Sequence, residues 1–343
     1  MFGFNKNYDF IGIGDIVSDA FIKLKEAEVE EDKDGRDGGY KKICMRFGDK
    51  IPYEDVIIVP AVGNSSNASV SASRLGLKSA LVTNVGNDYY GQECINVLKS
   101  EKVGTEFVKI NKGRKTNYHY VLVFGAERTI LIKHEEFEYN LPDIGKPKWV
   151  YLSSLAENSL PFHKILEKYF NDNPEVKLVF QPGTYQLKFG KDALAGLYKR
   201  TDLFFCNKEE AQRILGVGDT DVKKLMEMIH ELGPKIISIT DGPKGAYAYD
   251  ARLPARQGKN TWFIPMYPDP KPPTNRTGAG DAYSSTFTVA LILGKSVEEA
   301  LMWGPINSMS VVQKVGARAG LLKWQELEEY LKKAPADYKP RLI

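Results

Sequence analysis

At 343 residues, with 43% hydrophobic and 27% charged side chains, the chain has material for a sizeable core and too much apolar content for disorder. A net charge of +3 leaves no electrostatic footprint for nucleic acid, no apolar run reaches the length of a membrane span, and residues 1–20 lack a basic segment followed by a long apolar core, so secretion is not expected. Three widely spaced cysteines, Cys44, Cys94 and Cys206, form neither a disulfide framework nor a zinc knuckle, which fits a reducing cytoplasm; the four scattered histidines read as surface or half-buried side chains.

Phe10-Ile11-Gly12-Ile13-Gly14 reads as a first buried strand. Gly12 and Gly14 open a GxGxxG pattern, but its third position is Val17, which disfavours a dinucleotide-binding oxidoreductase. Asp19 follows at the carboxyl end of the strand, where open α/β sheets place ligands; it is either a turn former or a hydrogen-bond acceptor for a ligand's hydroxyls. Residues 20–59 are densely charged, with short alternating runs such as Phe21 to Leu24 and Lys42 to Phe47, and no helix period. They read as an exposed β insertion with a mobile tip near Asp34 to Gly39. Pro60 to Ala68 then leads into a helix rich in serine and alanine, where a backbone or ligand can approach closely. Leu75-Gly76 ends it, with Gly76 as the C′ residue.

Ala80 to Val85 is a buried strand, turned at Gly86-Asn87-Asp88 into a helix with Cys94, Ile95 and Leu98 on one side. A hairpin comes next. Tyr118, Tyr120, Leu122 and Phe124 share one face of its first strand, Gly125 to Arg128 makes the turn, and Thr129 to Lys133 returns. The tyrosines read as packing, with base stacking left open. From Trp149 onward, strands at Val150–Leu152, Lys177–Phe180, Leu203–Cys206 and Ile236–Ile239 alternate with helical patterns, as in a parallel sheet covered on both faces.

Asn207 and Glu210 have the spacing of a helix capping box. Thr240 to Gly245 reads as a turn before a strand at Ala246 to Tyr249. Asn275-Arg276-Thr277-Gly278-Ala279-Gly280-Asp281 then enters a helix whose Ala282, Thr286, Val289, Ala290 and Leu293 fall on one face. The N–H groups of Gly278, Ala279 and Gly280 would be unpaired there and would receive an anion, most often a phosphate. Asp281, in the first turn, could take the proton of a hydroxyl attacking that phosphate. Gly294-Lys295-Ser296 ends like a P-loop, but Val289 stands where its first glycine is required, and the protein-kinase motif set is absent.

The stretch Asn275 to Asp281 resembles the D-T-x-G-A-G-D signature of the ribokinase/PfkB carbohydrate kinase family, and further motifs extend the resemblance from Asp9 to Leu322. It implies one domain over residues 1–343, a ribokinase-like three-layer α/β/α sandwich. The central sheet would be mostly parallel, and lid segments near 20–59 and 115–134 would make a small β lid that covers the sugar and excludes water. It implies Asp281 as catalytic base, with Gly278, Ala279 and Gly280 as the anion hole, and Asp19, Gly63 and Asn67 as acceptor-binding residues. Asn207, Thr240, Gly242, Gly245 and Asn307 would serve the nucleotide, with Gly316-Ala317 beside the adenine. Glu210 would organise water around Mg²⁺. The implied activity is transfer of the ATP γ-phosphate to a primary hydroxyl of a sugar or nucleoside, in the cytoplasm, without nucleic acid or membrane; a homodimer through the lid stays open.

The chain departs from the family pattern at four positions. Val62 replaces a glycine, Gln181 stands where many relatives carry Asp, and Asn275-Arg276 replaces Asp-Thr in a region that helps hold a monovalent cation. The last change weighs against K⁺, and the Arg276 guanidinium is read as supplying positive charge to the structure or to a phosphate. The same departures motivate the alternative of a non-catalytic sugar or nucleotide sensor, which retained Asp281 and Glu210 oppose.

Overall fold

The computed structural model describes residues 7–31, 41–125, 127–253 and 260–343. The chain begins with β1 (Phe10–Ile13) and leaves the core for β2 (Val17–Leu24), β3 (Glu28–Glu31), β4 (Lys41–Cys44) and β5 (Tyr53–Val62). It returns through α1 (Asn64–Arg74), β6 (Ser79–Gly86), α2 (Tyr89–Ser100) and β7 (Val108–Asn111), then makes a second excursion as β8 (Tyr118–Phe124) and β9 (Glu127–Leu131). Regular alternation follows: β10 (Trp149–Leu152), α3 (Leu160–Asp172), β11 (Lys177–Phe180), α4 (Thr184–Ala193), α5 (Ala195–Arg200), β12 (Leu203–Asn207), α6 (Lys208–Leu215), α7 (Val222–Glu231) and β13 (Ile236–Thr240). The chain closes with β14 (Ala246–Asp250), β15 (Thr261–Ile264), α8 (Ala279–Ile292), α9 (Val297–Val312), α10 (Trp324–Lys332) and β16 (Arg341–Leu342).

Ten strands form one sheet in the order β16-β15-β14-β13-β12-β11-β10-β1-β6-β7. The ladder is parallel from β7 to β13, and β14, β15 and β16 extend it antiparallel. Of this antiparallel edge the sequence pattern marks only β14, at Ala246 to Tyr249; β15 and β16 are additional. Strand residues sort alternately into two cores. Ile11, Val150, Leu152, Leu178 and Phe180 pack under α3, α5 and α7, while Phe10, Tyr151, Val179 and Phe205 pack under α1, α8 and α9. These are the three layers expected. Gly12 is required by the close approach of α1: a Cβ there would stand 2.4 Å from Ser69 Oγ.

The lid is a four-stranded sheet in the order β5-β2-β8-β9. Its strands run from Val17 and as far as Val62, beyond the expected 20–59 at both ends, so Asp19 lies on a lid strand and not in a turn. Among the described residues β3 and β4 pair only with each other, antiparallel and apart from the lid sheet. The expected tip at Asp34 to Gly39, and Ala126 of the second hairpin, lie outside the described residues. Tyr118 and Tyr120 do share a face with Leu122 and Phe124, and Tyr118 packs at a tilt against Tyr90 of α2, ring centroids 4.6 Å apart. That face is opposite the one carrying Asp19 and His119, which neighbour each other across β2 and β8.

The helix after the glycine stretch departs from expectation in one respect. Residues 281–290 of α8 are buried all round, because α8 is sandwiched between the sheet, α1 and α9, while Leu293 is the exposed C-cap. Among the described residues no helix is long and apolar enough to cross a membrane, and the three cysteines are free.

Candidate active site

The carboxyl ends of β1, β11, β12 and β13 open into one chamber of about 510 Å³, roofed by the cavity-facing side of the lid. A second groove of about 340 Å³ adjoins it, and Thr240, Arg276, Gly280 and Tyr283 line both. The two spaces meet at the start of α8.

Gly278 is the N-cap of α8, in the left-handed region at φ 82°. Glycine is needed there twice over, because a Cβ would also stand 2.4 Å from the Cβ of Ala317. The amides of Gly278, Gly280 and Asp281 have no partner among the described residues. That of Ala279 is engaged, donating to the Arg276 carbonyl at 3.4 Å, so the expected cradle is narrower by one amide. The long distance makes this a weak turn contact.

Asp281 is 8% exposed and lines the chamber. Three side-chain amides hold it. Asn64 Nδ2 donates to Oδ1 at 2.7 Å, Asn67 Nδ2 to Oδ2 at 2.8 Å, and Gln181 Nε2 to Oδ1 at 3.3 Å. Burial raises its pKa above the ordinary aspartate value, and the three amide bonds oppose that rise. Gln181 therefore supports Asp281. Its Oε1 is in turn fixed by the hydroxyls of Tyr151 and Ser284.

At the end of the chamber beneath β2, Gly63 adopts φ 117°, and a Cβ there would stand 2.5 Å from the Asp15 carbonyl. Val62 needs no such freedom: among the described residues the non-glycine left-handed conformations are at Ala61 and Lys102. Asp19 Oδ1 and Asn67 Oδ1 are buried and lack hydrogen-bond partners, so both are poised to accept from a ligand. Sequence reasoning missed three neighbours. Asp15 accepts from the Tyr139 hydroxyl at 2.9 Å and lies 3.1 Å from His134 Nδ1, while His119 Nδ1 lies 3.5 Å from Asp19 Oδ1. Strand alternation could have found His119, since it puts His119 on the face opposite the tyrosines.

At the other end, Asn207 and Glu210 form the expected capping box. Asn207 Oδ1 accepts from the Glu210 amide at 2.7 Å, and Glu210 Oε2 from the Asn207 amide at 2.9 Å. Glu210 lines the chamber, and burial raises its pKa. Thr240, Gly242 and Gly245 line the adjoining groove, together with Tyr267, Pro305 and Ser308. Two expectations need correction here. Asn307 does not reach the groove: its Nδ2 donates to Thr286 Oγ1 at 2.7 Å and its Oδ1 accepts from the Leu322 amide at 2.9 Å, so it is used up between α8 and α9. Ala317 lines the chamber beneath Gly278, away from that groove.

Asn275 is also spent internally. Its Oδ1 accepts from the Thr277 amide at 2.7 Å, a turn that shapes the approach to α8. No group of three or more metal-ligating side chains exists among the described residues.

A family model described as pfkB family carbohydrate kinase matches residues 59–324. The chain is 26% identical over 291 residues to a ribokinase of Haemophilus influenzae, covering 79% of this chain and 87% of that one. It is 26% identical over 273 residues to a cytidine kinase of Thermococcus kodakarensis, covering 74% and 88%. The fold is shared with an Arabidopsis thaliana ribokinase solved with ribose and ATP, at a TM-score of 0.75 and 19% identity over 95% of this chain and 99% of that one.

Proposed function

The chain belongs to the pfkB family of carbohydrate kinases, phosphotransferases acting on alcohol groups, and from that footing we propose that it moves the γ-phosphate of ATP to a primary hydroxyl of a furanose-bearing sugar or nucleoside. The observation that carries this reading is the position of Asp281 beside the unpaired amides of Gly278 and Gly280, where chamber and groove meet. ATP would lie in the groove against Gly242, Gly245 and Ser308, its terminal phosphate at the start of α8. The acceptor would lie in the chamber, its hydroxyls donating to Asp19 and Asn67. Asp281 would take the proton of the attacking hydroxyl while the amides stabilise the charge that develops on the moving phosphoryl group.

Glu210 and Asn207 fit a Mg²⁺ ion held mainly by phosphates and water, the mode expected where no side-chain cage exists. When bound, that ion neutralises phosphate charge. Arg276 lines both spaces, which supports its guanidinium as a further phosphate contact in place of a monovalent cation. Exposed Ile58, Tyr120 and Leu131 lie in register on the outer face of the lid, which supports a homodimer through that face.

An ADP-release assay against a panel of neutral and anionic sugars and nucleosides tests the reading. Release that depends on one acceptor, with little gain from added K⁺, is expected. Silence across the panel would overturn the kinase reading, and strong K⁺ activation would overturn the role given to Arg276. The binding-only alternative loses its motive at Gln181, which holds Asp281 in place.

A further inference from the structure

Deepening the kinase reading above, we infer that the acceptor carries an anionic group, a phosphate or a carboxylate, which Arg128 of β9 holds at a part of the lid remote from Asp19, with Lys188 of α4 as a second cation lining the same chamber. Both residues line the chamber and neither lines the nucleotide groove. Arg128 makes no hydrogen bond or ion pair with a described residue, and its Nε is buried without a partner. Lys188 has the ring of Tyr185 at 4.9 Å and no carboxylate within ion-pair distance among the described residues.

A half-buried guanidinium with a buried, unpartnered Nε and no ion pair among the described residues is costly, so a ligand anion is expected to pair with it. Burial lowers the Arg128 pKa, the neighbouring Glu127 carboxylate opposes that fall, and Arg276 adds to it. An anion between lid and core relieves both effects.

No carboxylate of the chamber forms an ion pair with Arg128 among the described residues. Asp15 is bound by Tyr139 and lies against His134, Asp281 is held by three amides, and Glu210 closes its capping box, while Asp19 keeps Oδ1 without a hydrogen bond beside His119. Strand register explains the separation. Asp19 lies beside His119, whereas Arg128 pairs with Val123, four residues further along β8. That is roughly 13 Å of strand. The lid side of the chamber is thus bipolar, with a hydroxyl acceptor at Asp19 and a cation at Arg128. A neutral sugar would leave the cationic end empty. A nucleoside would find no tyrosine of β8 to stack on, since those rings face away. Arg276 borders both spaces and belongs to the transferred phosphate, but Arg128 is confined to the lid side and belongs to the acceptor.

Calorimetric titration of the full chain without ATP tests this, using matched probes: fructose 6-phosphate against fructose, gluconate against glucitol, and adenosine. The anionic member of at least one pair is expected to bind about tenfold or more tightly than its neutral partner. The pair that responds separates phosphate from carboxylate. Arg128→Met should remove the preference, Arg128→Lys should restore part of it, and melting temperatures show whether either variant is misfolded. In turnover, Arg128→Met should raise KM for the anionic acceptor more than it lowers kcat. Equal affinity within both pairs, absence of binding by either anionic probe, or tighter binding of adenosine overturns the inference. So does a fall in kcat at unchanged acceptor KM, which would assign Arg128 to the transferred phosphoryl group. Because binding is read without ATP, failure of the kinase reading shows separately, as missing ADP release.

Discussion

Asn67 donates its side-chain amide to Asp281 at 2.8 Å, across 214 residues of sequence. This bond ties the side chain expected to hold the acceptor to the carboxylate expected to deprotonate it. The other amide atom, Asn67 Oδ1, stays buried and unpaired. One side chain therefore fixes the base and offers a seat for a hydroxyl. Such positioning contributes more to a transfer reaction than either contact alone.

Replacing the base isolates the chemical step. Asp281→Asn should lower kcat by about 10² to 10⁴ while leaving ATP affinity largely intact, since the groove is lined by other residues. The new amide would also turn a donor toward Asn64 or Asn67, so a modest fall in melting temperature is expected alongside. ADP release and nucleotide titration on the same preparation check both. Near-normal turnover would remove Asp281 from the base role.

The rate should depend on pH with a definite sign. A base works ionised, and burial raises the Asp281 pKa, so kcat/KM should climb with pH through a value above the ordinary aspartate pKa of about 3.9. The amide bonds from Asn67, Asn64 and Gln181 favour the ionised form and lower that value. Removing one, by Asn64→Ala or Gln181→Leu, should move the acid limb to higher pH. A limb that stays put or moves down in both variants would contradict the clamp.

Gly278 is tested through its backbone. An alanine at φ 82° would cost about 1–2 kcal/mol for the left-handed conformation, before its contact with Ala317 is counted. Gly278→Ala should therefore lower stability in denaturant titration and weaken phosphate binding. Retention of both would mean that the turn relaxes without loss.

Asn307 offers the opposite expectation. Asn307→Ala would strand the Thr286 hydroxyl and the Leu322 amide, a loss of about 1–3 kcal/mol in stability, yet KM for ATP should hardly change. A large rise in that KM with unchanged stability would return Asn307 to the nucleotide site.

Local chemistry let the linear chain declare a good deal. The alternation of buried runs with helical patterns determined a parallel α/β sheet, because side-chain period is a property of neighbours in sequence. Gly278 ahead of a helical run determined where a helix would start with unpaired amides, and the Asn207–Glu210 spacing determined a cap, since both depend on a few consecutive residues. Tertiary structure alone decided the rest. Gln181, seen as a departure, became a support for Asp281; Asn307 turned inward between two helices; Asp15, His119 and His134 joined the chamber beside Asp19; and Arg128 was left facing a cavity without an ion-pair partner among the described residues. Each of these outcomes depends on which residues the fold brings together, across a hundred or more positions for Gln181, Asp15, His119 and His134 and between two packed helices for Asn307. Hydrogen-bond satisfaction and desolvation are set by that assembly, and neither can be read from spacing along the chain.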